Sequence, residues 1–198
     1  MKLHAFLILL MTLGLVSVAT ADVVKPALVE ISANTKGSVK VEVRASIEAL
    51  LTGINAQYKN TQDAPTAEEY DVLRALQPEQ LYDEFEPFKQ EFLKQIFLKA
   101  DGLPVDLEIV DIRIPEPGYT KVPRISVITL SAGLDHSTQA IQWYYPARFG
   151  DNAVRVRQVD EDNEQNVVCA FRNNVLEAYR NIRKDDLSDG PSSEYLFQ

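Results

Sequence analysis

Cysteine and histidine are almost absent from this sequence. Its 198 residues include one cysteine, Cys169, and two histidines. A single cysteine excludes an intrachain disulfide, so the stability of the fold must come from the burial of apolar side chains. Cys169 lies between Val168 and Ala170, which favours a small buried side chain, although a disulfide to another chain is the alternative.

Catalytic motifs are also missing. The sequence contains no G-x-S-x-G, no HExxH, no glycine-rich phosphate loop and no EF-hand loop. We therefore predict no catalytic residue, no cofactor and no enzymatic activity. A hydrolytic enzyme remains the alternative, and it would need buried carboxylates in an apolar pocket, which a sequence does not reveal.

Metal ligands are scarce. Because His4 belongs to the N-terminal segment described below, His136 beside Asp135 is the one remaining histidine. Protein metal sites combine several ligands with further residues that hydrogen-bond to those ligands and orient them. We therefore predict no metal site, and His136 and Asp135 are the candidate ligands if a metal does bind.

Basic residues are fewer than acidic ones. The chain has 20 Lys and Arg against 29 Asp and Glu, which gives a net charge of −9. Such an acidic surface repels nucleic acid and anionic lipid headgroups, so we expect neither as a partner. After residue 21 no apolar run reaches the about 20 residues of a membrane-spanning helix. We predict no membrane span in the mature chain.

The first 21 residues form a pattern of their own. Lys2 precedes an apolar run from Ala5 to Val18, and Ala19-Thr20-Ala21 follows it. A positive start, an apolar middle and a small-x-small end are typical of a secretory signal peptide, with an uncleaved amphipathic anchor as the alternative. The sequence predicts cleavage near Ala21 and a periplasmic or other extracytoplasmic location.

Alternating hydrophobicity predicts short strands over most of residues 22–163. A change of parity between Ile109 and Val110 predicts a β-bulge or a bend. The run 45–54 fits either a short helix or a strand extension, and 149–152 fits a hairpin connection. Short strands between turn signals indicate a mainly β fold, an antiparallel, Ig-like β-sandwich. The strand patterns cover residues 27–31, 39–43, 105–114, 124–130, 141–145 and 153–159.

A helical insertion is predicted at about residues 62–99. Thr66-x-x-Glu69 has the spacing of a capping box, and Pro78 suits the first turn of a second helix. Pro87 should kink or split that helix. Its apolar stripe, which we expect to be core, consists of Leu81, Phe85, Phe88, Phe92 and Ile96.

The C-terminal part is predicted to be one helix and a tail. Apolar residues recur at helical spacing across 164–184, and basic residues near the end of that range complement a helix C-terminus. Residues 185–198 have the composition of a disordered tail.

The candidate binding surface is an aromatic segment with one arginine. Tyrosine, tryptophan and arginine are enriched at binding hot spots. Strand alternation places Trp143 and Tyr145 on one face and Tyr144 on the other. We expect one of these faces to belong to the core and the other to face a partner. The alternative is that the segment is a sheet edge capped by aromatic residues and binds nothing. The predicted partner-binding residues are Trp143, Tyr144, Tyr145, Arg148 and Phe149.

Four segments, 25–31, 118–126, 144–152 and 155–161, resemble the exported N-terminal region of HupE/UreJ-type bacterial membrane proteins. The resemblance extends over roughly residues 24–165. It implies a β-sandwich domain in a hydrogenase- or urease-linked accessory system associated with nickel entry. The membrane helices of that family do not occur in this sequence.

Together these patterns predict an exported accessory or interaction module. We expect it to dock on an integral membrane or periplasmic protein, linked to a HupE/UreJ-type system, through the helical insertion and the segment 143–149. Tyr144 and Arg148 are the expected anchors. A periplasmic, nickel-handling protein is the alternative that the resemblance and the acidic charge suggest.

Overall fold

The chain folds mainly into strands, which form two sheets. The computed structural model describes residues 23–179 except 35, 55–56, 59, 120–121, 136, 160–163, 167 and 173–174. The predicted signal peptide and the predicted tail therefore lie outside the described residues. The strands are β1 Ala27–Asn34, β2 Ser38–Ala45, β3 Phe97–Ala100, β4 Leu103–Val105, β5 Glu108–Arg113, β6 Ser126–Gly133, β7 Ala140–Tyr144, β8 Asn152–Val159, β9 Glu164–Asn166, β10 Val168–Arg172 and β11 Val175–Tyr179. The helices are α1 Ile47–Thr52, α2 Ala67–Ala75, α3 Pro78–Phe85 and α4 Lys89–Gln95, with short 3-10 turns at Thr61–Asp63, Glu86–Phe88 and Ala147–Phe149.

The strand order of the first sheet is β5-β6-β2-β1-β8-β9, and that of the second is β10-β11-β7-β3-β4. Among the described pairs only β1 and β8 run parallel. The expected hairpin at 149–152 is wrong, because β7 and β8 lie in different sheets and this segment crosses between them. Burial explains why β8 pairs with β1 instead of forming a hairpin with β7, because beside β1 the side chains of Val154 and Val156 lie in the core.

One hydrophobic core joins the two sheets. Apolar side chains alternate with charged ones along β2, as the sequence predicts, and β6 is the nearly continuous apolar strand expected there. The apolar residues of β1, β2 and β6 belong to the same cluster as those of β3 and β7. The predicted irregularity is confirmed as a register shift between Ile109 and Asp111 in the pairing of β5 with β6. The sheet residues at the centre include Val29, Ile31, Val41, Val43, Ile128, Leu130, Leu98, Ile141 and Trp143.

The helical insertion packs its aromatic stripe into this core. Pro78 lies in the first turn of α3, and the chain at Pro87 forms the 3-10 turn that separates α3 from α4, as predicted. The insertion ends earlier than predicted, because Phe97–Ala100 is strand β3, which pairs with β7. Four members of the stripe, Leu81, Phe85, Phe92 and Ile96, are buried.

Local hydrogen bonds decide where the helices begin. The run 45–54 forms helix α1, because the Ser46 hydroxyl accepts a hydrogen bond from the Ala49 N–H at 3.3 Å. The capping box expected at Thr66 is wrong: its hydroxyl instead donates to the Thr52 carbonyl at 3.0 Å and ties α2 to the end of α1. The Gln80 side chain accepts from the Gln77 N–H at 3.0 Å at the start of α3.

The predicted C-terminal helix is wrong. The described residues of this range form strands β9, β10 and β11, and β11 pairs antiparallel with β7, from Val175 opposite Tyr144 to Tyr179 opposite Ala140. Residues 180–184, the end of the predicted helix, lie outside the described residues. Spacing alone favoured a helix, but the free edge of β7 offers main-chain hydrogen bonds, and the β-branched and aromatic residues of this region suit a strand. Within the described part of the chain, no helix has the length and apolar character needed to cross a membrane.

Candidate functional site

The structure divides the five predicted binding residues between core and surface. Trp143 and Tyr145 are each 1% exposed, and Phe149 is also buried. These three belong to the core, where their side chains offer almost no surface to a partner. Tyr144 lies on the opposite side of β7, half-buried, with its ring stacked on Phe97 at 4.9 Å. The predicted surface therefore narrows to Tyr144 and Arg148.

An aromatic cluster fixes the 3-10 turn that carries Arg148. The Phe149 ring stacks on Phe92 at 5.5 Å and meets Phe88 at 6.0 Å and Tyr145 at 5.6 Å. The turn is closed by hydrogen bonds from the Phe149 and Gly150 N–H groups, both 2.9 Å long. Because ring contacts of this kind add to the free energy of burial, the turn has little freedom to move. Both predicted surfaces, the helical insertion and the segment 143–149, meet here.

Arg148 projects from this turn toward solvent. Its side chain is 54% exposed, and its Nη1 lies 3.6 Å from Oε1 of Glu91 on α4. Its guanidinium also lies over the Phe149 ring, 5.1 Å from the centroid. An exposed ion pair of this kind contributes only about 0–1 kcal/mol, so a carboxylate of another molecule can replace Glu91 at small cost.

A groove of about 560 Å³ lies beside Arg148. One wall comes from α1 and the residues after it, and the other from Ala147 and Arg148. The lining residues are Leu50, Leu51, Thr52, Gly53, Gln57, Ala147 and Arg148. The groove thus combines a mainly polar lining with one cation and a small apolar area, an arrangement that suits a carboxylate next to a small apolar group. Sequence reasoning missed the α1 wall, because nothing in the pattern 45–54 places it near residue 148.

Burial makes Tyr145 chemically inert. Desolvation raises the pKa of its hydroxyl far above the ordinary value of 10.0. Among the described residues this hydroxyl has no hydrogen-bond partner. Tyr145 therefore stays protonated at physiological pH and cannot act as a base.

A buried ion pair anchors the helices to the first sheet. Glu48 of α1 is 0% exposed, and its Oε1 accepts a hydrogen bond of 2.8 Å from Nε of Arg124. Its Oε2 accepts from the Ser46 hydroxyl at 2.8 Å. The remaining Arg124 nitrogens donate to the carbonyls of Leu73, Leu76 and Pro115 at 3.3, 2.9 and 3.2 Å. One guanidinium thus joins α1, α2 and the segment after β5.

Sequence analysis did not find this pair. Glu48 and Arg124 are 76 positions apart, and no local spacing connects them. The available signal was that Glu48 is the single charged residue of the run 45–54. Because each polar atom of the pair has a partner, its role is structural and it leaves no group available for chemistry.

The outer face of the first sheet carries a ladder of charges. Glu30 and Glu42 lie directly opposite each other on β1 and β2. Nη2 of Arg44 bridges them at 3.2 Å and 3.0 Å, Lys40 Nζ contacts Glu42 at 2.6 Å, and Arg155 contacts Glu30 at 3.4 Å. Cations between the two carboxylates offset a repulsion that would otherwise destabilise this pair of strands.

Replacing Glu42 with glutamine should reduce stability at neutral pH and leave it unchanged in acid. The hydrogen bond from Lys40, followed by the charges of Lys40, Arg44 and Arg113, lowers the pKa of Glu42 from 4.5. A carboxylate with a lowered pKa stabilises the fold above its unfolded pKa and loses that effect as the pH falls below it. We expect E42Q to cost up to about 1 kcal/mol at pH 7.

Urea unfolding between pH 7 and pH 3 measures the difference in free energy of unfolding between the native chain and E42Q. This difference should shrink below about pH 4.5, the ordinary pKa of a glutamate carboxyl. Glu68→Gln, which changes an exposed carboxylate of α2, is the control. A deficit of E42Q that stays constant across this range would contradict the assignment.

Of the two candidate metal ligands, the structure describes Asp135. Asp135 is exposed, and its Oδ1 accepts hydrogen bonds from the backbone N–H and the hydroxyl of Ser137. His136 lies outside the described residues. Among those that are described, no three His, Cys, Asp or Glu side chains gather as metal ligands would.

Comparison of the chain with protein-family models, with curated proteins and with solved structures found no significant match.

Proposed function

We propose that this chain is an exported interaction module, not an enzyme, and that it docks on an integral membrane or periplasmic protein through Arg148 and the adjacent groove. The observation that carries the proposal is the position of Arg148, an exposed cation at the edge of a groove, on a turn that buried aromatic rings hold in place. A rigid anchor loses little conformational entropy on binding, and arginine is among the residues that most often dominate binding energy.

The chemistry of the groove specifies what the partner presents. Arg148 can exchange its exposed contact with Glu91 for a carboxylate of the partner. Leu51, which is half-buried in the wall of the groove, offers a small apolar contact next to that carboxylate. Tyr144, stacked on Phe97, adds a half-buried aromatic surface on the outer side of β7.

The remaining sequence predictions belong to the same proposal. Export rests on the signal-peptide pattern of residues 1–21, and the link to a HupE/UreJ-type system rests on the resembling segments between residues 24 and 165. Two sheets that share one core support an antiparallel β-sandwich, of which the Ig-like form is one arrangement.

Affinity purification with matched charge reversals tests the proposal. The tagged mature chain, Arg148→Glu and Arg155→Glu are each isolated from the envelope fraction of the cells that make them, and bound proteins are quantified by mass spectrometry. Arg155 is the control because it is 57% exposed and pairs with a glutamate at 3.4 Å, much as Arg148 does.

We expect one envelope protein to be recovered in stoichiometric amount by the native chain and by R155E. Its recovery with R148E should fall at least about tenfold, the equivalent of about 1.4 kcal/mol. Equal recovery by all three chains, or no specific protein with the native chain, would refute the proposal.

A further inference from the structure

Strand β5 forms an open edge of the first sheet. Among the described strands it pairs only with β6, on one side. An edge strand directs alternate N–H and C=O groups away from its neighbour, and these groups can pair with an additional strand. The β-bulge between Ile109 and Asp111 breaks the regular ladder, so the regular part of this edge is its end, Asp111–Arg113.

A second groove, of about 510 Å³, lies between this end of β5 and helix α3. Ile112 and Ile114 line the strand side and are half-buried, and Pro78 and Tyr82 line the helix side. Lys89 Nζ donates to the Tyr82 hydroxyl at 2.6 Å and lies 4.3 Å from the centroid of its ring, which holds the ring in place. The groove therefore has an apolar lining beside unpaired backbone.

The rim of this groove is acidic. Glu79 and Asp83 lie one helical turn apart on α3, and both are exposed. On the strand side, Arg113 lines the groove, and its guanidinium lies 3.4 Å from the carboxylate of Asp111. The two lining carboxylates, Glu79 and Asp83, attract a positively charged ligand, because the nearby cations Arg113 and Lys89 are already paired with Asp111 and Glu86.

We propose that the groove between β5 and α3 binds an extended, basic segment of a partner protein, which adds to β5 as a further strand. Main-chain hydrogen bonds to residues 111–113 supply affinity. Alternate side chains of the segment then point into the groove, where apolar ones contact Ile112, Ile114 and Tyr82, while basic ones reach Glu79 and Asp83. This surface is separate from the Arg148 groove, so either can fail without the other.

Two labelled peptides test this proposal directly. One, the Val-Lys peptide, has two Val-Thr-Lys-Thr repeats, and the other, the Val-Glu peptide, has two Val-Thr-Glu-Thr repeats, so that the valines and the charged side chains share one face of the strand. Both peptides have blocked ends, and binding is followed by fluorescence anisotropy. The chain variants are Glu79→Lys with Asp83→Lys, and, as a control, Glu68→Lys with Glu69→Lys. The control makes the same change in net charge at exposed positions of α2.

We expect the Val-Lys peptide to bind saturably, with a dissociation constant below about 1 mM, and the Val-Glu peptide not to bind. The α3 double variant should weaken binding at least tenfold, and the α2 double variant should leave it within twofold. Backbone amide chemical shifts of the native chain should change at residues 111–114. No saturable binding, equal loss in both double variants, or shift changes confined to other strands would overturn the proposal. Circular dichroism confirms that each variant is folded.

Discussion

Arg124→Met is expected to lower the free energy of unfolding by about 3–5 kcal/mol. The substitution leaves the carboxylate of Glu48, which is 0% exposed, without its counter-charge. It also removes the donors to the carbonyls of Leu73, Leu76 and Pro115, and each buried acceptor left without a partner adds to the cost. The helices and the first sheet should therefore lose their strongest polar connection.

Urea unfolding, followed by tryptophan fluorescence and by circular dichroism, measures this loss. The control is Arg148→Met, which removes an exposed guanidinium and should cost less than about 1 kcal/mol. Glu48→Gln keeps an acceptor for Arg124, so its loss of free energy of unfolding should lie between those of R124M and R148M, at about 1–3 kcal/mol. This variant keeps the prediction testable if R124M does not fold. An R124M chain as stable as R148M would show that the buried pair contributes nothing.

Phe92→Ala is expected to cost a similar amount, about 3–5 kcal/mol. Phe92 is fully buried, and its ring contacts both Phe85 of α3 and Phe149 beside Arg148. Truncation removes apolar burial and leaves a cavity between the helical insertion and the 3-10 turn. Because the same ring supports the turn, the variant should also weaken binding through Arg148.

Phe97→Ala provides the comparison. Phe97 is a half-buried phenylalanine stacked on Tyr144 at 4.9 Å, and its truncation should cost less than half as much, because solvent can reach the vacated space. Thermal unfolding measures both variants, and Phe92→Leu, which keeps much of the volume, should recover most of the loss. Equal costs at positions 92 and 97 would show that Phe92 is not a central core residue.

Hydrophobic periodicity predicted the elements whose structure depends on residues nearby in the sequence. Alternating apolar residues located β1, β2 and β8, a nearly continuous apolar run located β6, and Pro87 marked the break between α3 and α4. It failed where a distant partner decides the structure. Strand β11 pairs with the free edge of β7, although the apolar spacing of this region favours a helix.

The candidate site was predictable only in part, for the same reason. Alternation separated Tyr144 from Trp143 and Tyr145, and residue type drew attention to Arg148. The α1 wall of its groove comes from residues almost 100 positions earlier. The buried partner of Arg124 likewise comes from another element, and only the fold brings such residues together.

Site-specific photo-crosslinking tests the central claim most directly. A photoreactive residue is placed at Ala147, in the Arg148 groove, or at Val72, which is 64% exposed on α2 and outside both grooves. Each chain is irradiated in the envelope of the cells that make it. A docking surface at Arg148 predicts one discrete adduct from position 147, its loss in the Arg148→Glu background, and none from position 72. No adduct at position 147, or one that survives Arg148→Glu unchanged, would contradict the claim that this chain binds its partner through Arg148.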